Sequence, residues 1–153
     1  MTSEKNIAIR QLRRKDYPAW LPLWEANNDN SLSRKQADET WKKLTTKSDP
    51  IFGLGLWLDG ALIGILHYSL HPVTARATDV CFMQDIFITP SQRKLGFAKI
   101  FLGELFTMAK AKDWGWIYWF ALESDHAAQA LYKKIGVKME MSVHMHIPSI
   151  LMI

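Results

Sequence analysis

The stretch Gln92-Arg93-Lys94-Leu95-Gly96-Phe97-Ala98 decides how this chain is read. An apolar segment, Val80 to Thr89, runs up to it and stops at Pro90. Beyond it, apolar residues recur at helical spacing from Ala98 to Ala111. A strand, a short glycine-bearing turn and a helix start together make an anion site. The first turn of a helix has N–H groups with no internal partner, and the helix dipole adds partial positive charge there. Gly96 lets phosphates approach the backbone, Ala98 keeps the next turn small, and Arg93 and Lys94 add fixed charge. The turn reads as a pyrophosphate cradle, although strand-to-helix turns of similar composition can bind nothing.

Outward from this turn, the pattern gives a mixed order of elements. Upstream, Ile7 and Ile9 alternate with polar residues as a first strand. Asp16 can cap a helix carrying Trp20, Leu21, Leu23 and Trp24, with Pro18 acceptable in its first turn. Ser33 begins a second helix with Ala37, Trp41 and Leu44 on one side, and Asp49-Pro50 ends it. Ile51 to Leu58 and Ala61 to Leu70 are strand-like runs joined by Asp59-Gly60, a strong hairpin signal. Asp79 to Thr89, apolar on both faces, suits a central strand. In the helix that follows, Phe97, Ile100, Phe101, Leu105 and Met108 form the expected inward stripe. Trp116 to Leu122 reads as a short aromatic strand, Ala127 to Ile135 as a helix capped by Ser124 or Asp125 and stopped by Gly136, and Lys138 to Ile147 as a final strand. The order predicts one α+β domain over residues 1–153, in three α/β/α layers around a mixed, largely antiparallel sheet.

Composition narrows the function classes. The 153 residues suit one core, and 48% are hydrophobic, which argues against disorder. No apolar run reaches the ~18 residues of a membrane span, and the N-terminus lacks a signal core, so a cytoplasmic protein is expected. The net charge of +4 is modest and spread out rather than concentrated on one face, so no nucleic-acid partner is expected, and a polyanionic small cofactor fits the balance equally well. Cys81, the only cysteine, lies in an apolar strand and reads as a buried hydrophobe rather than a nucleophile. No histidines and cysteines stand at metal-ligand spacing; His67, His71, His144 and His146 read as structural or surface residues, and no metal is expected.

A second motif follows the aromatic strand: Glu123-Ser124-Asp125-His126-Ala127-Ala128-Gln129-Ala130-Leu131-Tyr132-Lys133-Lys134-Ile135-Gly136. Together with the glycine turn, it resembles the GNAT superfamily of acetyl-CoA-dependent N-acetyltransferases. Arg93, Gly96 and Ala98 satisfy the family's coenzyme turn, and Asp125, Ala128, Leu131-Tyr132 and Gly136 satisfy its second motif. Met83-Gln84-Asp85-Ile86-Phe87-Ile88 is similar to the family's fourth strand, and the branch that looks nearest is the histone and polyamine acetyltransferase-like group. Three positions depart from the pattern. Lys94 stands where many members have Gly, Asp125 where Asn is usual, and Gln84 where relatives often have a Glu general-base candidate.

The resemblance implies acetyl transfer from acetyl-CoA to an amine: a small amine, a polyamine, an amino acid or a protein lysine. It places the coenzyme pyrophosphate on the amides from Arg93 through Lys94, Leu95, Gly96, Phe97 and Ala98 to Lys99, and the pantetheine beside Ile86, Phe87 and Ile88. Asp125 would stand beside the pantetheine arm, but aspartate cannot donate the usual amide hydrogen bond. Tyr132 would be the general acid, since a phenol with a pKa near ~10 can protonate a thiolate. Asp85 is the best acidic candidate at the substrate amine, binding it directly or taking a proton through water, with a structural acid as the competing reading. Trp24, Glu25, Gln84 and Glu123 are further substrate-side candidates, and core packing competes for Trp20 and Trp24. Two rivals stand beside the transferase. Gln84 and Asp125 motivate a degenerate acyl-CoA sensor, and the basic N-terminal stretch of Arg10, Arg13, Arg14 and Lys15 motivates an interaction module. Homodimers are common in the family, and the apolar end Ile147 to Ile153 could serve such a contact or cap its own core.

Overall fold

Asp59 and Gly60 adopt φ of 50° and 85°, the two positive values that a twist-matched two-residue hairpin turn requires. They join β2 (Ile51–Leu58) to β3 (Ala61–His71), as the sequence predicts. The computed structural model describes residues 5–136. The expected last strand, Lys138 to Ile147, and the apolar C-terminal end lie outside the described residues. The chain divides into two compact units, Met1–Phe120 and Ala121–Ile153.

The first unit holds a five-stranded sheet in the order β1-β2-β3-β4-β5. β1 (Ile7–Gln11), β2, β3 and β4 (Val80–Ile88) run antiparallel, and β5 (Ile117–Tyr118) pairs parallel with β4. The α+β class and the largely antiparallel, mixed sheet therefore hold. β5 covers only Ile117–Tyr118 of the predicted Trp116–Leu122 strand.

Strand alternation sorts β3 into two faces. Ile65 belongs to the core cluster that holds Trp20, Leu21 and Trp24 of α1 (Tyr17–Asn27) and Ala37, Trp41 and Leu44 of α2 (Arg34–Thr45). Gly64 faces the other way, toward α3 (Phe97–Ala111). A Cβ there would lie 2.7 Å from Ile88 Cδ1 and 3.4 Å from Phe101 Cε1, so only glycine admits this close packing. Helices thus cover both faces of the sheet. The inward stripe of α3 differs from expectation at two positions. Ile100 is 43% exposed, and Leu102 is buried with Phe97, Phe101 and Leu105.

Local chemistry sets the helix starts. Ser33 accepts from the Gln36 amide while the Gln36 side chain accepts from the Ser33 amide, a complete capping box for α2. α2 ends at Thr45, short of the expected stop at Asp49-Pro50. Asp16 precedes α1 but does not cap it with its side chain. Its carboxylate instead takes both Arg10 guanidinium nitrogens, at 2.7 and 3.0 Å, and the Arg13 amide at 2.7 Å. The Arg10 guanidinium lies 3.7 Å above the centroid of the Trp57 ring, so one network ties β1 and β2 to the entry of α1.

That network carries a pH signature. The Arg10 hydrogen bonds hold the Asp16 carboxyl below its ordinary value of 3.8, against the opposing effect of burial. A carboxyl with a lowered folded pKa adds stability above 3.8 and loses it as pH falls through the folded value. Asp16→Ala is therefore expected to lower urea-measured stability by about 1–3 kcal/mol at pH 7. The gap to the parent should narrow as pH drops below 3.8; a gap that stays constant would show that the pairing contributes nothing.

Candidate active site

β4 ends just before Pro90, which has no N–H to give to a ladder. Pro90 opens a single turn of 3-10 helix, Pro90–Gln92, and α3 starts after Gly96. Gly96 has φ of 86°, and Lys94 has φ of 61°, the left-handed region that glycine enters most freely. Lys94 thus keeps, in a side-chain-bearing residue, the backbone shape that glycine supplies elsewhere. The first bond of the α3 ladder runs from the Ile100 amide to the Gly96 carbonyl, 3.1 Å. Among the described residues, no amide from Lys94 to Lys99 donates a hydrogen bond, and no side chain caps the helix. These amides form a donor-rich, dipole-positive concavity of the kind that binds phosphate.

The edge of β4 lies beside it. β5 pairs only with Cys81 and Phe82, so among the described residues β4 is unpaired on that side from Met83 onward. The Thr89 amide bonds Ile63 on β3, which turns the backbone groups of Ile88, and by alternation Ile86, toward the open edge. The Phe87 backbone faces β3, opposite Ile65. Arg93 folds back, with Nε donating to the Ile88 carbonyl at 2.9 Å and the guanidinium 5.2 Å from the Phe87 ring centroid. Its charge therefore braces the end of β4.

A register shift places the acidic residue. His67 lies opposite Asp85 and Tyr68 opposite Met83, so Gln84 is the extra residue of a β-bulge. Gln84 is exposed and donates to Ser69 Oγ at 3.1 Å. Asp85 Oδ2 lies 3.0 Å from His67 Nδ1, and Asp85 Oδ1 accepts from Asn27 Nδ2 at 3.0 Å. Trp20 Nε1 reaches His67 Nε2 at 2.9 Å. An indole nitrogen only donates, so His67 Nε2 must accept and the ring proton sits on Nδ1, aimed at Asp85. The imidazole is then a hydrogen-bond donor to Asp85 rather than its counter-ion. Burial alone would push the Asp85 carboxyl up; its combined interactions with His67 and Asn27 hold the carboxyl below its ordinary range.

Three of these residues line a cavity of about 120 Å³ under α2. His67, Gln84 and Asp85 come from the sheet, with Ile51 beside them. Thr40, Lys43 and Leu44 close it from the helix. His67, read from sequence as structural or surface, is thus buried at the cavity and bonded to the candidate acid. Asn27, Thr40 and Lys43 were not singled out by sequence, because no local pattern marks a residue that meets the site only through packing.

The remaining candidates fall as follows. Trp24 is buried in the α1–α2 cluster and stacks on Trp20, so core packing accounts for it. Glu25, half-buried on α1, is not among the residues that line the cavity. Cys81 is fully buried, and burial pushes its thiol up to about 12, as a packed hydrophobe should behave. In the second unit, Asp125 begins α4 (His126–Lys134) and its carboxylate accepts the Ala128 amide at 3.0 Å. Aspartate at this position therefore serves as the helix cap. Glu123 is exposed, with its carbonyl accepting from Gln129 Nε2, and Tyr132 is a buried residue of α4.

Comparison with known proteins agrees with this fold. Residues 7–137 match the Acetyltransferase (GNAT) family. The chain is 25% identical over 138 residues to D-amino-acid N-acetyltransferase HPA3 of Saccharomyces cerevisiae, covering 86% of this chain and 85% of that protein. Aminoglycoside N-acetyltransferase AAC(6')-Iy in complex with CoA superposes with a TM-score of 0.84 at 17% identity, over 97% of this chain and 99% of the other. The ribosomal-protein-alanine N-acetyltransferase of Brucella melitensis biovar Abortus 2308 gives 0.78 at 20% identity, over 93% and 99%. A glycine turn feeding a bare helix start, a half-open central strand and a match that runs from β1 to just past α4 lead to one conclusion: this chain belongs to the GNAT acetyltransferase family.

Proposed function

We propose that the protein transfers the acetyl group of acetyl-CoA to a primary amine by direct attack in a ternary complex. The run of amides without acceptors from Lys94 to Lys99, next to the open edge of β4, is the observation that carries this reading. The coenzyme diphosphate would lie on those amides. The pantetheine would extend the sheet along Ile86 and Ile88, the residues whose backbone groups face the edge. One edge N–H would polarise the thioester carbonyl.

Asp85 then takes the acceptor side. A carboxyl held below its ordinary range stays ionised near neutrality, which suits it to bind an ammonium group and makes it a weak base. In the balanced reaction the ammonium loses a proton to solvent, through water beside Asp85, and the neutral amine attacks the carbonyl carbon. The C–N bond forms, the C–S bond breaks, and the nitrogen releases its second proton. Tyr132, by the motif it belongs to, is assigned to protonate the departing thiolate, and the nitrogen's second proton replaces the one it gives up. Buried Cys81 offers no route to an acetyl-enzyme.

Asp85→Asn tests the acceptor side. It retains an oxygen for the His67 proton but removes the charge. The KM for the amine is expected to rise roughly 10- to 100-fold while the KM for acetyl-CoA stays unchanged, measured by release of free thiol. An unchanged amine KM would remove Asp85 from recognition. Coenzyme binding without thiol release across a broad amine panel would favour the sensor instead, the reading that Gln84 at the bulge motivates.

A further inference from the structure

We propose that the acceptor is a small amine that itself carries a carboxylate, an amino-acid-like zwitterion whose ammonium is read by Asp85 and whose carboxylate is read by Lys43. This rests on the acetyl-transfer reading of the same cavity and names its substrate class.

Only two lining groups carry a full charge, and they come from opposite walls. Asp85 comes from β4, and Lys43, an exposed residue of α2, comes from the helical side. His67 is locked as a donor to Asp85 by Trp20, so it adds no cation beside the ammonium subsite. Among the described residues, Lys43 has no carboxylate within ion-pair distance, whereas Asp85 is already oriented by His67 and Asn27. The acidic wall is thus preorganised for a cation, and the basic wall keeps an unpaired ammonium for an anion.

The surrounding charge points the same way. Lys42 and Lys43 lie in the last turn of α2, and Lys47 follows it. A cavity of about 120 Å³ with Lys43 on its helical side disfavours a polyamine or another polycation and suits a compact zwitterion. A lysine in a last helical turn also complements the helix dipole. That structural role would alter melting temperature and leave acceptor choice untouched, so the two roles separate experimentally.

The test compares the parent with Lys43→Met and Lys43→Glu on three kinds of amine: the best-accepted member of a D- and L-amino-acid panel, its carboxamide, and spermidine. Judging each variant against the parent on the same amine cancels differences in intrinsic nucleophilicity. In Lys43→Met, the KM for the amino acid should rise roughly 10- to 100-fold with kcat little changed, while the carboxamide is unaffected. Lys43→Glu should move preference toward spermidine. Calorimetric binding of the amino acid to the CoA-loaded protein should weaken in parallel. Thiol release with spermidine but not with amino acids, or equal selectivity in all three proteins, overturns the proposal and leaves acetyl transfer standing. Lys43-dependent binding of the amino acid without thiol release from any amine would retain the acceptor class and refute the transferase. No binding and no turnover of any amino acid refutes the acceptor class outright.

Discussion

Gly96→Glu is expected to lose acetyl-CoA binding by at least roughly 100-fold while keeping the parent's secondary structure. Two observations set this apart from an ordinary core mutation. A Cβ at Gly96 meets nothing within 4 Å, so the fold has room for a side chain. The backbone is left-handed at φ of 86°, which a side-chain-bearing residue adopts at about 1–2 kcal/mol. The cost to folding is therefore small. The cost to binding is large, because the new carboxylate occupies the helix start that would otherwise receive the diphosphate and adds like-charge repulsion there. Gly96→Ala supplies the control: it carries the backbone strain without the charge, so most of the affinity should survive. Titration calorimetry with circular dichroism separates the outcomes. Parent-like affinity in Gly96→Glu would show that the diphosphate lies elsewhere.

Tyr132→Phe is expected to reduce turnover by roughly 10²-fold or more with coenzyme affinity preserved. The ring remains, so the packing of a buried residue is kept and only the hydroxyl is lost. An interaction used only as the thiolate departs lowers kcat and kcat/KM together. A pre-steady-state measurement of thiol release locates the loss in the chemical step. Parent-like turnover would take Tyr132 out of the mechanism and leave Leu131-Tyr132 as a packing motif.

The parts of the fold that were legible in the sequence are those governed by neighbours in the chain. Asp59-Gly60 specified its hairpin because few residue pairs accept two positive φ values. Ser33 and Gln36 specified the start of α2 by reciprocal capping. The glycine turn was readable for the same reason, since Gly96 and the apolar period after it are local signals. Asp16 shows the limit. Locally it is a good cap, but Arg10 across the turn offers two charge-assisted hydrogen bonds, and these win.

The candidate cavity was legible only in part, since Asp85 stands out as an acid in an apolar strand but its partners come from far along the chain. The segment between β3 and β4 does not fix their register, and the bulge at Gln84 shifts it by one. Without that register, nothing in the sequence sets His67 opposite Asp85. The Trp20 indole that fixes the His67 tautomer belongs to α1, 47 residues upstream of His67. Lys43 reads locally as one of several cations on a solvated helix. Its meaning depends on which wall of the cavity α2 forms.

A crystal structure of the protein with acetyl-CoA tests the central claim most directly. The account predicts diphosphate oxygens within hydrogen-bond distance of the amides between Lys94 and Lys99, and the pantetheine amides paired with the open edge of β4 at Ile86. A coenzyme bound with its diphosphate away from that turn, or with β4 unpaired beneath it, would contradict the account.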